Sequence, residues 1–229
     1  MTTFALLHGA WHGAWCWELL TPELQRRGHG VVAVDLPIDD PDATFEDYAD
    51  VAASALADTG DDVVAVGHSL SGNVLPWLAE RRPVRHLVYL GALVADLGRS
   101  VDDQQRNDGM LNLLYLTALE RVGGCTRWAD ADLARSLLYA DCDDEVVLAA
   151  LARVRPQATL PIGQLCTLAR QPTVPSTYIV CAEDRVVHPA WSRRVARERL
   201  GASLVELPGS HSPFYSRPAE LAEVLDALG

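Results

Sequence analysis

Three segments that lie far apart in the chain each place one reactive side chain just after an apolar run. The side chains are the hydroxyl of Ser69, the carboxylate of Asp184 and the imidazole of His211. A serine hydroxyl is a poor nucleophile at neutral pH, so a base must remove its proton and a carboxylate must orient that base. The three residue types, in this order along the chain, predict a catalytic triad for acyl transfer with Ser69 as nucleophile, His211 as base and Asp184 as orienting acid.

The serine lies in a strand–turn–helix pattern. Residues 63–66 are typical of a buried strand, Gly67 and Ser71 bracket the serine, and a helical run follows over 73–80. A nucleophile on such a turn has a strained backbone, and neighbours without bulk let strand and helix approach each other. The helix also points its amide-rich N-terminus to the place where negative charge would develop. The alternative interpretation is that Ser69 only caps the following helix.

Other residues remain open for the roles of acid and base. Glu183 is adjacent to Asp184 but would tend to face away from it, and Asp96 follows the fourth predicted strand. His211 follows the final strand, at the edge where a base is needed. Three other histidines are typical of surface, strand-start or loop positions: His29, His86 and His188.

A tetrahedral intermediate also needs two hydrogen-bond donors that face its oxyanion. The main-chain amide of Leu70, directly after the nucleophile, is one candidate, and the amide of Ala10 is the other. Ala10 lies in the turn His8-Gly9-Ala10 after the first predicted strand. An ordinary strand-to-helix connection would explain the glycines of that turn equally well.

Several residues beside these groups are candidates for a substrate pocket. Five are predicted from their positions: Gly9, Trp11, His12, Ser71 and Ser212. Among three neighbouring tryptophans we expect only Trp11 to approach a substrate, because such residues more often pack a helix on a sheet. Four apolar residues farther along would either roof the site or form a local core: Met110, Leu111, Leu113 and Leu114.

The segments that must position these groups alternate between strands and helices. Six apolar runs are predicted as strands: Thr3–Leu7, Gly30–Asp35, Val63–Val66, Arg85–Leu90, Thr177–Cys181 and Ser203–Leu207. Helices are predicted between and after them: 15–27, a helix that begins at a capping box over 44–47, 73–81, 191–200 and 218–228. The alternation predicts an α/β fold in which a six-stranded, mostly parallel sheet carries helices on both faces, as one domain over 1–229.

The alternation is interrupted over about 96–171. This stretch is predicted to form helices without strands, including 130–138 and 144–154. Sheets of this kind bind ligands at the carboxyl edge of their strands, so we predict a helical cap insertion over that edge.

Charge and composition exclude several classes of partner. The chain has 31 acidic and 19 basic residues and a net charge of −12, which argues against nucleic acids and anionic membranes as partners. No signal peptide or bilayer-spanning run is evident, so we expect a cytoplasmic protein whose five cysteines are reduced thiols without metal-type spacing. We predict no cofactor and no metal, and the sequence leaves the oligomeric state open.

With these residues in place, the chain resembles the α/β-hydrolases, and more narrowly the plant methylesterase and hydroxynitrile lyase group with its bacterial relatives. The resemblance covers nearly the whole chain. It rests on four motifs: His-Gly-Ala-Trp-His-Gly-Ala-Trp at 8–15, Gly-His-Ser at 67–69, Cys-Ala-Glu-Asp-Arg at 181–185 and Gly-Ser-His at 209–211. The first motif is the most specific. In some hydrolases of this type the acid follows the fourth strand, which is the position of Asp96.

The resemblance implies hydrolysis in preference to lyase chemistry. The lyases carry threonine at the position of Gly9 and lysine at the position of Ser212, and that lysine holds the cyanide leaving group. The esterases usually have glycine where this chain has Ser71, so a second hydroxyl near the site leaves room for altered chemistry. No cap residue can be transferred from the family.

These observations predict a cofactor-independent serine hydrolase, a carboxylesterase acting on small hydrophobic esters, including methyl esters. One alternative is a lyase, cyclase or acyl-transfer step on a specialised metabolite with the same triad. A second alternative is a non-catalytic protein that uses the pocket only to bind a ligand.

Overall fold

A central sheet of six parallel strands forms the core of the computed structural model, which describes all residues 1–229. The strand order is β2-β1-β3-β4-β8-β9, and every pairing is parallel. The six strands span β1 Thr3–Leu7, β2 Gly30–Val34, β3 Val63–His68, β4 His86–Leu90, β8 Ser176–Cys181 and β9 Ser203–Leu207. The predicted α/β fold with six strands is confirmed.

Helices cover both faces because the chain changes direction after β2. It runs from β1 outward to β2 and then returns past β1 to β3, so right-handed crossovers place α1 on one face and α2, α3 and α8 on the other. The last helix, α10, packs beside α1. The helices outside the cap span α1 Leu20–Arg26, α2 Phe45–Ala55, α3 Leu75–Arg81, α8 Pro189–Val195, α9 Pro213–Ser216 and α10 Pro218–Asp226, with a π-helical continuation of α8 over Ala196–Leu200.

Local sequence explains most of these boundaries. The predicted capping box starts α2, since the Thr44 hydroxyl accepts from the amide of Asp47 and the Asp47 carboxylate accepts from the amide of Thr44. The helix predicted over 15–27 is in fact a 3₁₀ turn over Ala14–Trp17 followed by α1. Pro22 explains the break, because proline is tolerated in the first turn of a helix but not in its interior.

The cap lies between β4 and β8, and it is not purely helical as predicted. Besides four helices it contains a three-stranded antiparallel sheet of β5 Leu119–Val122, β6 Cys125–Trp128 and β7 Gln157–Ala158. Gly123 and Gly124 both have positive φ, which is the conformation that a two-residue hairpin turn requires. That Gly-Gly signal was present in the sequence and was missed. The cap helices span α4 Val101–Asn107, α5 Ala131–Leu138, α6 Asp144–Leu151 and α7 Leu160–Gly163, with a 3₁₀ turn over Leu113–Ala118.

The core lies on both faces of the sheet, and β3 is its most deeply buried strand. All six residues of β3 are buried. Its carboxyl end lies beside that of β1, where the strand order reverses, and such a switch point is the usual ligand crevice of an open α/β sheet. None of the helices combines the length and the apolar character that a membrane crossing needs.

Candidate active site

The nucleophile candidate lies on a strained turn at the end of β3. Ser69 has φ +52°, in the left-handed region that side chains other than glycine rarely adopt, and it opens a 3₁₀ turn over Ser69–Asn73. The turn precedes α3, so the predicted helix begins as 3₁₀ rather than α-helix. Leu93 donates from its amide to the Ser69 carbonyl at 2.9 Å. The surrounding structure therefore holds a conformation that costs on the order of 1–3 kcal/mol.

Glycines at two positions let the elbow pack tightly. A Cβ at Gly67 would lie 2.8 Å from the carbonyl oxygen of Ser71 and 2.9 Å from the Leu75 side chain. A Cβ at Gly72 would lie 2.1 Å from the carbonyl oxygen of Leu93. At neither position do the neighbouring atoms leave room for a side chain. The strand, the turn and the following helix therefore come together only with glycine at both positions.

Asp184 and His211 form a buried acid–imidazole pair at the same edge. Oδ2 of Asp184 accepts from Nδ1 of His211 at 2.8 Å, while Oδ1 accepts from the amides of Val186 at 2.8 Å and Val187 at 3.0 Å. Three hydrogen bonds to this carboxylate fix its orientation. Because Nδ1 of the imidazole must donate to this carboxylate, Nε2 is left unprotonated and able to accept a proton.

The loop that carries His211 is bonded to the last residue of β3, which directly precedes the serine. His68 donates from Nε2 to the carbonyl oxygen of His211 at 2.9 Å, and the two rings lie with centroids 4.6 Å apart. No protein group bonds the Ser69 hydroxyl or the His211 Nε2. Catalytic hydrogen bonds are often loose without substrate and tighten in the complex.

The two alternative acids are engaged elsewhere. Glu183 accepts from the amide of Gly209 and so braces the loop that carries His211. Asp96 accepts from Arg99 at 2.9 Å and from Arg199 at 3.0 Å, in an ion cluster at the base of the cap. The structure brings only Asp184 to the imidazole.

The turn after β1 faces the serine, as the sequence predicted for an oxyanion site. A Cβ at Gly9 would lie 2.9 Å from the Ser69 Cβ and 2.8 Å from Nδ1 of His68, so only glycine allows the turn to come this close. No protein acceptor takes the amide of Ala10. The amide of Leu70 lies in the first turn of the 3₁₀ segment, where amides have no carbonyl ahead of them. Both residues line the cavity above Ser69, and the assignment of their amides as oxyanion donors stays a prediction.

Three buried histidines frame this turn, and burial keeps each one neutral. Burial lowers the pKa of His8 to about 3 and that of His12 to about 4, and it holds the pKa of His68 well below the usual range. The hydrogen bonds of His8 identify its tautomer, since Nε2 accepts from the amide of Leu36 at 3.0 Å and Nδ1 donates to Gly9. At neutral pH these rings therefore act as fixed, uncharged hydrogen-bonding groups.

The candidate substrate cavity above Ser69 is apolar. The two candidate oxyanion residues, Ala10 and Leu70, line it. Three apolar side chains come from the sheet edge and the acid loop: Trp11, Leu93 and Val186. Six more lining residues belong to the cap: Val101, Gln105, Leu111, Tyr115, Trp128 and Ile162. Sequence reasoning missed most of the cap residues. Among the cap residues only Leu111 was named from the sequence, and the missed residue Val186 had a signal because it lies two residues after Asp184.

Of the five candidate pocket residues, Trp11 alone lines this cavity. Gly9, His12 and Ser71 are buried supports of the turns, and the hydroxyl of Ser71 donates to the carbonyl of His8. Ser212 is 0% exposed and its hydroxyl has no partner. The prediction for these four residues was wrong because proximity in sequence does not determine side-chain direction.

The four apolar cap residues left open by the sequence divide between roles. Leu111 lines the cavity and Met110 is buried in the core. Leu113 and Leu114 are exposed. The segment that carries Leu111 also pairs with the acid loop, since His188 donates its amide to the carbonyl of Met110 at 2.9 Å.

A second, polar compartment adjoins the apolar cavity. It shares four lining residues with the cavity: Trp11, Gln105, Tyr115 and Ile162. Asp102, Arg121, Thr126 and Thr159 give it polar walls. We call this compartment the vestibule. No group of three or more His, Cys, Asp or Glu side chains is arranged as a metal site.

Several known proteins resemble this chain in sequence and in fold. The sequence profile of the alpha/beta hydrolase family matches residues 4–224. A pyrethroid hydrolase of Sphingobium wenxiniae is 30% identical over 98% of this chain and 86% of its own length. Methylesterase 2 of Arabidopsis thaliana is 27% identical over 98% of this chain and 95% of its own. The crystal structure of a pyrethroid hydrolase from Sphingobium faniae matches with a TM-score of 0.84 and 26% identity, over 99% of this chain and 96% of that one.

Proposed function

This chain belongs to the alpha/beta hydrolase family, and we propose that it is a carboxylesterase that cleaves small hydrophobic esters through an acyl-enzyme on Ser69. The predicted resemblance to α/β-hydrolases and to plant methylesterases is confirmed, and the relatives include proteins named as a methylesterase and a pyrethroid hydrolase. The observation that carries the proposal is the buried Asp184–His211 pair at 2.8 Å, whose His211 carbonyl is bonded to the residue before a serine on a strained elbow.

Each group has a defined part in the proposed reaction. The Ser69 oxygen attacks the ester carbonyl carbon while Nε2 of His211 takes its proton, and Asp184 stabilises the imidazolium that forms. The carbonyl oxygen becomes an oxyanion, which accepts from the amides of Ala10 and Leu70. Collapse of the intermediate breaks the bond to the alcohol, and His211 protonates the departing oxygen. Water activated by His211 then cleaves the acyl-enzyme, which releases the acid and restores the serine.

The shape of the site supports an ester with one compact apolar end. Ten of the twelve residues that line the cavity are hydrophobic, so it favours an apolar group next to the reacting carbonyl. The vestibule, with its polar walls, leaves the rest of the substrate partly solvated. Methyl esters with a hydrophobic acyl group match both requirements.

The lyase alternative lacks the charge that it needs. The residue after His211 is Ser212, a buried serine, and no Lys or Arg lines the cavity at the nucleophile. Cyanide departure would leave a negative charge without a cation to hold it.

The test combines active-site labelling with a panel of esters. A fluorophosphonate probe should label the wild type at Ser69, and a panel that varies acyl and alkyl size should show turnover to acid plus alcohol. Ser69→Ala should lose labelling and at least about 10⁴-fold in kcat, since a triad without its nucleophile retains little catalysis. Ser136→Ala, which changes a half-buried serine on α5, is the matched control and should keep both.

Two results would count against the proposal. If Ser69→Ala kept most of the esterase activity, Ser69 would not be the nucleophile. Tight binding of esters by a wild type that neither turns over nor reacts with the probe would favour the non-catalytic alternative.

A further inference from the structure

The main chain of the turn that carries the oxyanion donor is held at every peptide. The carbonyl oxygens of five successive residues, 8–12, each accept a hydrogen bond from a fixed donor. The donors are Ser71 Oγ to His8, His8 Nδ1 to Gly9 at 2.9 Å, His12 Nδ1 to Ala10 at 2.8 Å, Arg155 N to Trp11 at 2.9 Å and Arg155 Nε to His12 at 2.9 Å.

Such restraint matters because a peptide plane carries its carbonyl and its amide in opposite directions. If the plane between Gly9 and Ala10 turned over, a carbonyl oxygen would point at the developing oxyanion in place of the Ala10 amide. Gly9 has no side chain to resist that rotation. Trp11, two residues after Gly9, has φ +61°. A bulky residue keeps this left-handed conformation only when its surroundings enforce it.

The contacts that hold Trp11 in this conformation come in large part from the cap. The Tyr139 hydroxyl, at the end of α5, lies 2.7 Å from Nε2 of His12, and both residues are buried. Because the carbonyl of Ala10 can only accept, Nδ1 of the neutral His12 ring carries the proton and Nε2 accepts from the tyrosine. The result is a directed chain from the Tyr139 hydroxyl through the His12 ring to the Ala10 carbonyl.

Three more cap residues contact the same turn. Arg155 donates from its main-chain amide and its Nε to adjacent carbonyls, as described above. The Trp11 indole donates to the Thr126 hydroxyl at 3.3 Å, and its ring packs against Trp128 at 5.3 Å between centroids. The cap therefore contacts the strained residue through its side chain, its carbonyl and the neighbouring imidazole.

We propose that Tyr139 of the cap, acting through His12, positions the oxyanion turn for catalysis. The inference rests on the proposed esterase function, since it assigns to both residues a positioning part in that reaction. Neither residue lines the cavity, so neither touches the substrate. Loss of the chain should therefore weaken stabilisation of the transition state and leave substrate binding nearly unchanged.

The first experiment removes only the tyrosine hydroxyl. Tyr139→Phe should lower kcat by about 10- to 100-fold, because a small misplacement of a catalytic group has effects of that order, with KM within about twofold of the wild type. Tyr48→Phe is the matched control. It also removes a buried hydroxyl bonded to a cap residue, Gln157 at 3.2 Å, but it touches no part of the oxyanion turn, and kcat should stay within about twofold of the wild type.

The second experiment separates positioning from folding. His12→Asn keeps an N–H that can reach the Ala10 carbonyl, whereas His12→Leu keeps none, so the asparagine variant should retain about tenfold more kcat than the leucine variant. For each variant, inhibition by an alkyl trifluoromethyl ketone, which forms an oxyanion adduct with the serine, should weaken by the same factor as kcat/KM.

The outcomes of these measurements distinguish two failures. An inactive, unlabelled wild type would refute the proposed function itself. An active wild type with Tyr139→Phe equal to Tyr48→Phe in kcat would refute the positioning part alone. Equal kcat for His12→Asn and His12→Leu, or ketone affinity that does not follow kcat/KM, would also refute it.

Discussion

The sheet edge and the cap meet at Ser69, and they are built in different ways. At the sheet edge the functional polar groups are fixed by short-range hydrogen bonds to buried main chain, as at Asp184 and His8. The cap presents mostly apolar side chains to the cavity, and several of its hydrophobic residues are exposed, among them Leu148 and Leu165. The difference indicates a division of labour. Groups that act on charge need fixed positions, whereas groups that recognise an apolar substrate need only the right volume.

The largest expected effect comes from breaking the acid at the sheet edge. In Asp184→Asn the oxygen can still accept from the amides of Val186 and Val187, so the new amide nitrogen would face His211. The ring would then have to place its proton on Nε2, where it cannot accept from Ser69. We expect a loss of about 10⁴-fold in kcat.

Steady-state kinetics on a responsive ester would measure this loss, with circular dichroism to check folding. Glu183→Gln is the control, because the neighbouring side chain binds the amide of Gly209 and a glutamine oxygen can do the same. Equal losses in the two variants would mean that the Asp184–His211 contact has no special part.

A smaller but still large effect should follow from adding one methyl group to the oxyanion turn. In Gly9→Ala the new Cβ would meet Ser69 and His68 below 3.0 Å, so the turn must shift away. We expect kcat to fall by about 10²- to 10³-fold, as it does when one oxyanion donor is lost. Gly60→Ala adds a methyl group where no atom lies within 4 Å. If the two variants had the same kcat, the turn after β1 would have no part in catalysis.

A substitution among the cap residues that line the cavity should change substrate choice more than chemistry. Ile162 lines both the cavity and the vestibule, and Ile162→Phe would narrow the passage between them. We expect the ratio of kcat/KM for a bulky ester to that for a small ester to fall by about 10-fold or more, with the small ester little affected. Leu148→Phe, at an exposed cap position, should leave that ratio unchanged. An equal loss of kcat/KM for all esters of the panel would mean that this part of the cap does not select substrates by size.

The buried histidines make the sheet edge sensitive to acid. His8 and His12 have folded pKa values of about 3 and 4, below the 6.5 of the exposed ring, so the unfolded chain binds more protons than the folded chain as pH falls below 6.5. Stability is fully present above pH 6.5 and declines toward pH 4, by up to about 1.4 kcal/mol per pH unit for each such histidine.

Urea unfolding at pH 7.5, 6 and 5 would measure this slope. His12→Asn should reduce the slope between pH 6 and 5, since it removes one of the titrating groups. A slope identical to that of the wild type would mean that His12 does not titrate on unfolding.

The sequence by itself determined the framework and the reactive groups. Strands β1 and β9 have the predicted limits, and the other four strands of the main sheet differ from the prediction by at most two residues at an end. Buried strands and capping boxes are local patterns, and Ser69, Asp184 and His211 could be identified because each follows a strand whose carboxyl end must lie at one edge. The assignment of catalytic roles to these three residues stays a prediction.

Only the tertiary structure decided which side chains face the substrate and which hold the main chain. His12 and Ser71 looked like pocket residues, but His12 bonds Tyr139, 127 positions away in sequence, and the Ser71 hydroxyl turns to the carbonyl of His8. The cap residues of the cavity likewise come from separate segments whose arrangement depends on packing against the sheet. Local patterns report the period and ends of an element, whereas the direction of a side chain across a gap depends on contacts between residues that the chain brings together only when it folds.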